Sequence, residues 1–225
     1  MTAIIKEERI GGQRLILGDC LEVMTELGKF DAVVTDPPYG IGMSGGNVGY
    51  KGLNNLERKE WDTAPAIEAV HKIAESGQPF IIWGGNYFGL APTRCYLVWD
   101  KGAGFKGRSY AESELAWTSL DANARTFTHD PLARGDYKGK QHPTQKPIAL
   151  MEWCLGFLPN ARTILDPFMG SGTTLVACQR LGRSGTGIEI DPDYFAVACR
   201  RVEEATRQPD LFVAPPAAPT QETLL

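Results

Sequence analysis

Runs of four or five residues that read as strands recur along this 225-residue chain, and stretches that read as helices lie between them. The runs fall at residues 14–17, 32–35, 79–83, 95–99, 114–118, 163–166 and 185–189, and the helical stretches at 19–27, 64–76, 147–158, 172–181 and 192–205. A strand that returns to its sheet through a helix pairs in parallel, and its helix covers one face. The alternation therefore predicts an α/β fold, a mostly parallel sheet with helices on both faces. Such sheets bind ligands beyond the carboxyl ends of their strands. Those ends are occupied by Asp19, Asp36, Gly84 to Asn86, Asp166 and Glu189. Residues 123–141 are polar and predicted to be irregular.

At 43% hydrophobic and 22% charged residues, the composition is that of an ordinary globular domain. No apolar run approaches the length of a membrane span, and the first residues, MTAIIKEERIGG, lack the apolar centre of a secretory signal. The five cysteines are scattered without a C-x-x-C pair, so neither disulfides nor a metal site is expected, and a reducing cytoplasm fits. The net charge of −4 argues against a general nucleic-acid binder. Between Arg94 and Lys146, however, nine Lys and Arg face six Asp and Glu, so the middle of an acidic chain is locally basic.

Two turns carry unusual chemistry. The first, VVTDPPYG (Val33 to Gly40), puts two prolines between an acid and an aromatic directly after an apolar run. Proline donates no backbone hydrogen bond and fixes its own φ, so the pair acts as a rigid spacer between Asp36 and Tyr39. The second, ILDPFMGSGTT (Ile164 to Thr174), is a strand, a glycine turn and a helix start. Its glycines allow close backbone approach, and the helix-start amides can bind an anion. No Lys-Ser/Thr pair follows them, which excludes a Walker loop, and Asp166-Pro167-Phe168 fits a dinucleotide fingerprint poorly. The next strand ends in GTGIEID, where Glu189 can accept ribose hydroxyls. A nucleoside with a carboxylate and no diphosphate is implied, a description that S-adenosyl-L-methionine meets.

DPPYG, HPTQKP (His142 to Pro147) and DPFMGSGTT, in that order, resemble the amino DNA methyltransferases, in the permuted group that places the tetrapeptide before the cofactor turn. The likeness runs over roughly residues 15–201. It implies a Rossmann-like seven-stranded sheet with a terminal antiparallel hairpin, supplied by 95–99 and 114–118. It also implies methyl transfer to a flipped base in double-stranded DNA. Asp36 at the head of the tetrapeptide leans toward adenine N6. Cytosine N4, or a non-catalytic DNA-binding protein on the same fold, are the alternatives. By the same likeness, Asp36, Pro37, Pro38 and Tyr39 form the catalytic tetrapeptide, in which the Asp36 carboxylate and Pro37 carbonyl hold the amine and Tyr39 stacks on the base. Asp19 and Cys20 approach the cofactor's adenine. Asp166, Pro167, Phe168, Gly170, Ser171, Gly172 and Thr173 form the cofactor turn. Glu189 and Ile190 take the ribose, and His142, Thr144 and Lys146 close over the methionine carboxylate.

A single domain is expected over residues 1–206, with recognition left to two segments, 43–61 and 101–140. Their Arg58, Lys59, Lys101, Lys106, Arg108, Arg125, Arg134, Lys138 and Lys140 are candidate DNA contacts. The glycine-rich stretch 40–52 is expected to close over the flipped base. Residues 207–225 read as a disordered tail whose QPDLF, from Gln208 to Phe212, resembles peptides that dock on the bacterial sliding clamp. A bacterial or phage source and a cytoplasmic location follow from the resemblance.

Overall fold

A computed structural model describes residues 2–41, 66–138 and 140–207. The segment 43–61 with Arg58 and Lys59, most of the glycine-rich stretch, and the Gln208 to Phe212 peptide lie outside the described residues.

The described residues form one nine-stranded sheet in the order β1-β2-β9-β8-β3-β4-β6-β5-β7. Its centre is parallel: β2 (Gln13–Leu17), β9 (Ser184–Glu189), β8 (Thr163–Asp166), β3 (Ala32–Thr35) and β4 (Phe80–Trp83). The strand β6 (Ser113–Thr118) pairs antiparallel with both β4 and β5 (Tyr96–Asp100). These seven strands are the expected sheet and hairpin. Two edge strands are additional: β1 (Lys6–Ile10), antiparallel to β2, and β7 (Arg125–Thr128), parallel to β5. The second corrects the expectation of an irregular 123–141. Phe127 anchors β7, stacking on Trp153 with centroids 5.2 Å apart. A short helix, α3 (Pro131–Arg134), follows and is capped by Asp130.

Side-chain alternation explains the burial of both sheet faces. Val33, Phe80 and Ile82 point to one face, where they meet Val23 of α1 (Cys20–Glu26) and Val70 and Ile73 of α2 (Ile67–Glu75). Ala32, Val34, Ile81 and Trp83 point to the other, against Leu150, Met151, Cys154 and Leu155 of α4 (Ile148–Gly156) and Ala177 and Cys178 of α5 (Thr173–Arg180). The last helix, α6 (Pro192–Arg207), lays Phe195, Ala198 and Val202 against Leu15, Leu175 and Val176. Among the described residues no helix is long and apolar enough to cross a membrane.

The topology positions the site. The chain passes from β3 to β4 on one side and from β8 to β9 on the other, so the order reverses between β8 and β3. At such a reversal the crossover helices part and leave a crevice at the carboxyl ends of the strands. Asp166 ends β8, and Asp36 follows β3.

Candidate active site

The crevice holds a cavity of about 880 Å³. Of the residues singled out for catalysis and cofactor binding, all but Gly172 line it. Gly172 instead caps α5 at φ +77°, packed on Ala198. Ile41, Ile67, Tyr87, Leu115 and Ile190, five of the seven exposed large hydrophobic residues among the described ones, also line this cavity. Apolar side chains gathered at the rim of one concavity mark it as a ligand site.

The cofactor-side wall is built from three loops. Asp19, at the end of β2, caps α1 by accepting the Leu21 amide at 2.7 Å. Beside it, burial and the Asp19 charge push the Cys20 thiol up to about 12. Asp166 accepts the Thr35 hydroxyl at 2.7 Å and the Phe168 amide at 3.1 Å, tying the ends of β8 and β3 together. Arg201 of α6 fixes the glycine turn by donating to the Ser171 carbonyl, the Ser171 hydroxyl at 2.8 Å and the Thr173 hydroxyl at 3.1 Å. Glu189 accepts the Asp191 amide at 2.8 Å. Burial raises both wall acids, Glu189 to about 7 and Asp166 to about 6.

These shifts have a consequence for stability. Unfolded, each acid ionises near its ordinary value; folded, each keeps its proton to a higher pH. The folded chain then binds more protons between those limits, so its stability falls as pH rises through them. Without ligand, these two acids are expected to weaken resistance to urea at pH 8 relative to pH 5, against the opposite contributions of His142 and Lys140, which are held below their ordinary values. Glu189→Gln should remove about 2 kcal/mol of that difference. Parallel urea titrations at the two pH values check this, and an unchanged pH dependence in the variant contradicts it.

The segment 142–146 bridges the cofactor turn and the tetrapeptide. His142 packs edge-on against Tyr194, with centroids 4.2 Å apart, and lies beside Gly170. Burial first, then the Lys140 charge, pushes its imidazole down to about 3, so it is neutral. Its Nδ1 accepts the Thr144 amide at 3.3 Å. Gln145, between the residues expected at the site, accepts the Ser171 hydroxyl at 3.3 Å. Lys146 was assigned to the methionine carboxylate. Its ammonium instead donates to Asp36 Oδ2 at 2.5 Å and lies 3.1 Å from Glu114.

Around Asp36 the charges form a chain. Tyr39 donates its hydroxyl to Asp36 Oδ1 at 2.5 Å, and Lys101 pairs with Glu114 at 2.6 Å. Burial would lower Lys146, but Asp36 and Glu114 outweigh it and hold the ammonium above its usual range. Burial would raise Glu114, but Lys146 and Lys101 outweigh it and bring the carboxyl down to about 2. For Asp36 burial prevails over Lys146, and the carboxyl lies above its usual range. The Tyr39 ring stacks on Tyr87, with centroids 4.8 Å apart and planes 11° apart. The turn from Trp83 to Tyr87, WGGNY, therefore shapes the pocket, because Gly84 passes beneath the Tyr39 ring.

Glu114 was not among the predicted site residues. The lysines of 101–140 divide. Lys101, 7% exposed, is spent on Glu114 and on the faces of Trp99 and Phe105, which takes it off the surface expected to meet DNA. Lys140 lines the cavity with its ammonium 4.3 Å from the Tyr137 ring centre, and burial and Lys146 bring it down to about 7. Lys106, Arg108, Arg125, Arg134 and Lys138 are exposed.

A family model described as a DNA methylase matches residues 98–200. The chain is similar to the type II methyltransferase M.ScaI of Streptomyces caespitosus, 26% identical over 83% of this chain and 80% of that protein. It is likewise similar to the type II methyltransferase M.HpaI of Haemophilus parainfluenzae, 26% identical over 85% and 74%. Among solved structures, the complex of M1.HpyAVI with SAM superposes with a TM-score of 0.56 at 24% identity, over 84% of this chain and 98% of that one. The cytosine-N4-specific PvuII DNA methyltransferase superposes with a TM-score of 0.56 at 18% identity, over 90% and 94%. At such identities the superpositions establish the fold.

Proposed function

We propose that the chain is an amino DNA methyltransferase, one that transfers the methyl group of S-adenosylmethionine to adenine N6 in double-stranded DNA. The observation that carries this reading is the cavity at the sheet reversal, which brings Asp36 and Tyr39 together with Glu189 and the glycine turn. The choice of adenine rests on the aspartate that heads the tetrapeptide.

The residues of the cavity fit this cofactor. Glu189 and Asp19 are acceptors suited to ribose hydroxyls and an adenine amine, Phe168 and Ile190 are apolar neighbours for a purine, and Arg201, the cation at the turn, is bonded to Ser171 and Thr173. S-adenosylmethionine supplies a methyl group on a positively charged sulfur that leaves as a neutral thioether. The protein must make a poor nucleophile attack it. An exocyclic amine on a base has its lone pair delocalised into the ring. The Asp36 carboxylate and the Pro37 carbonyl, accepting its two protons, turn that lone pair out of the ring toward the methyl group. Tyr39, pressed against Tyr87, gives the extruded base an aromatic platform that offsets part of the unstacking cost. After transfer the amine nitrogen carries one proton too many. Asp36, with its carboxyl above the usual range, is placed to accept it.

Incubating the protein with unmethylated DNA and cofactor tritiated at the methyl group, then separating the nucleosides, tests the reading. Label in N6-methyladenosine is expected. N4-methylcytosine as the sole product overturns the base assignment, and unlabelled DNA overturns the function.

A further inference from the structure

We propose that Lys146 is the donor that reads the ring nitrogen beside the target amine, and that Glu114 holds it there. The proposal deepens the methyl-transfer reading and rests on it. Lys146 Nζ donates to Asp36 Oδ2 at 2.5 Å, lies 3.4 Å from the Tyr39 hydroxyl and has its second carboxylate, Glu114, 3.1 Å away. Its side chain is 5% exposed, yet it lines the cavity. Glu114 is fixed in turn by Lys101 at 2.6 Å. A carboxylate that only needed neutralising would need one cation. Here the cation is tethered from behind by a second acid, so it keeps its place when Asp36 takes up a new donor.

The chemistry of the base gives that arrangement a use. In adenine and in cytosine, the carbon bearing the amine also bonds a ring nitrogen with an exposed lone pair. A base whose amine reaches Asp36 must present that lone pair next to Asp36, where the buried donor is Lys146. Guanine at its six-position and thymine at its four-position invert the pattern, showing a carbonyl to the carboxylate and an N–H to the ammonium. The pair thus accepts the edge that adenine and cytosine share and rejects the other two by like-against-like contacts. The same bond has a second effect. The ring nitrogen is the more basic of the two, and an ammonium on its lone pair leaves the amine as the open nucleophile.

The test uses duplexes carrying the modified motif, found by sequencing DNA from cells that express the protein. The target adenine is replaced by 1-deazaadenine, which keeps the amine and has C–H in place of the ring nitrogen; 3-deazacytosine serves if the target is cytosine. The preference for the natural base over the analogue is measured as a ratio of kcat/KM. A charge-assisted hydrogen bond predicts a preference about thirtyfold larger in wild type than in Lys146→Met. Comparing the two enzymes cancels the intrinsic reactivity of the analogue. Glu114→Gln, which keeps the lysine and loosens it, should show an intermediate ratio. Equal ratios in wild type and Lys146→Met overturn the proposal. So does a wild type indifferent to the analogue, whether or not the variant folds. A wild type that modifies no DNA brings down the methyltransferase reading itself, and this proposal with it.

Discussion

Asp36→Asn should lower methyl transfer to DNA roughly a thousandfold while cofactor affinity stays within a factor of about three. The substitution keeps the volume of the side chain, so it leaves no hole between Tyr39 and Lys146. It exchanges one acceptor oxygen for an NH2 group. In the folded protein Asp36 accepts from Tyr39 on one oxygen and from Lys146 on the other. An amide oxygen can still accept from Lys146, but the NH2 group cannot accept the Tyr39 proton, which loses its buried acceptor. The mismatch costs about 1–3 kcal/mol. Lys146 keeps Glu114 as its counter-ion, which protects the fold from a stranded charge. The target amine, however, loses the anionic acceptor that turns its lone pair outward. Glu189 ends β9 and Asp19 caps α1, and neither is touched by the substitution, so calorimetric titration with S-adenosylmethionine should look like wild type. Turnover within tenfold of wild type would remove Asp36 from the mechanism. Loss of cofactor binding along with turnover would mean that the variant collapses the cavity.

The centre of this fold was legible in the sequence because both sheet faces are buried. The strands β3 and β8 match the predicted residues 32–35 and 163–166 one for one. Each carries adjacent buried apolar residues, Ala32 to Val34 in one and Ile164 and Leu165 in the other, directly before a polar end, as suits a strand between two helical layers. The edges were not legible. Four of the five residues of β1, KEERI, are charged, and its pairing with β2 is invisible to a search for apolar runs. Charge on an edge strand is the device that blocks pairing with other chains, so it hides the strand from that search. The site divided on the same physical lines. Asp36, Asp166 and Glu189 line the cavity and lie at or just past strand ends, where the rule for parallel strands points. Glu114 was missed because β6 runs antiparallel to β4 and β5. Its first residues, not those after its last, therefore lie at the functional edge, level with the end of β5: Trp99 pairs with Glu114 and Asp100 with Ser113. The partners of Lys101 and Lys146 are hidden from the sequence for a related reason. A lysine in a polar stretch reads as solvated or as a phosphate contact, and only the hairpin's register reveals the buried acid that each one meets.

Gly84→Ala should be the most damaging single methyl group that can be added near the site. Gly84 sits at φ +71°, ψ 22°, in the left-handed region where a side chain costs about 1 kcal/mol on its own. A Cβ there would fall 2.1 Å from Tyr39 Cε1 and 2.5 Å from Cζ, inside the aromatic ring's contact surface. The ring cannot retreat cheaply, since it is stacked on Tyr87 and its hydroxyl is bonded to Asp36. Overpacking of this kind adds about 1–3 kcal/mol, so the total expected loss is about 2–4 kcal/mol. Activity should fall about a hundredfold, because moving Tyr39 displaces both the base platform and a partner of the carboxylate. Gly77 provides the control. It too has a positive φ, +74°, but nothing lies within 4 Å of its Cβ position, so Gly77→Ala should cost only the backbone term and leave activity unchanged. Denaturant titrations of the two variants separate strain from collision. A further substitution identifies the colliding partner. Adding Tyr39→Ala to Gly84→Ala should destabilise far less than Tyr39→Ala does in wild type, because the ring it removes is already displaced. Additive losses would mean that the alanine is accommodated without moving Tyr39, and that the glycine is not what sets the height of the platform.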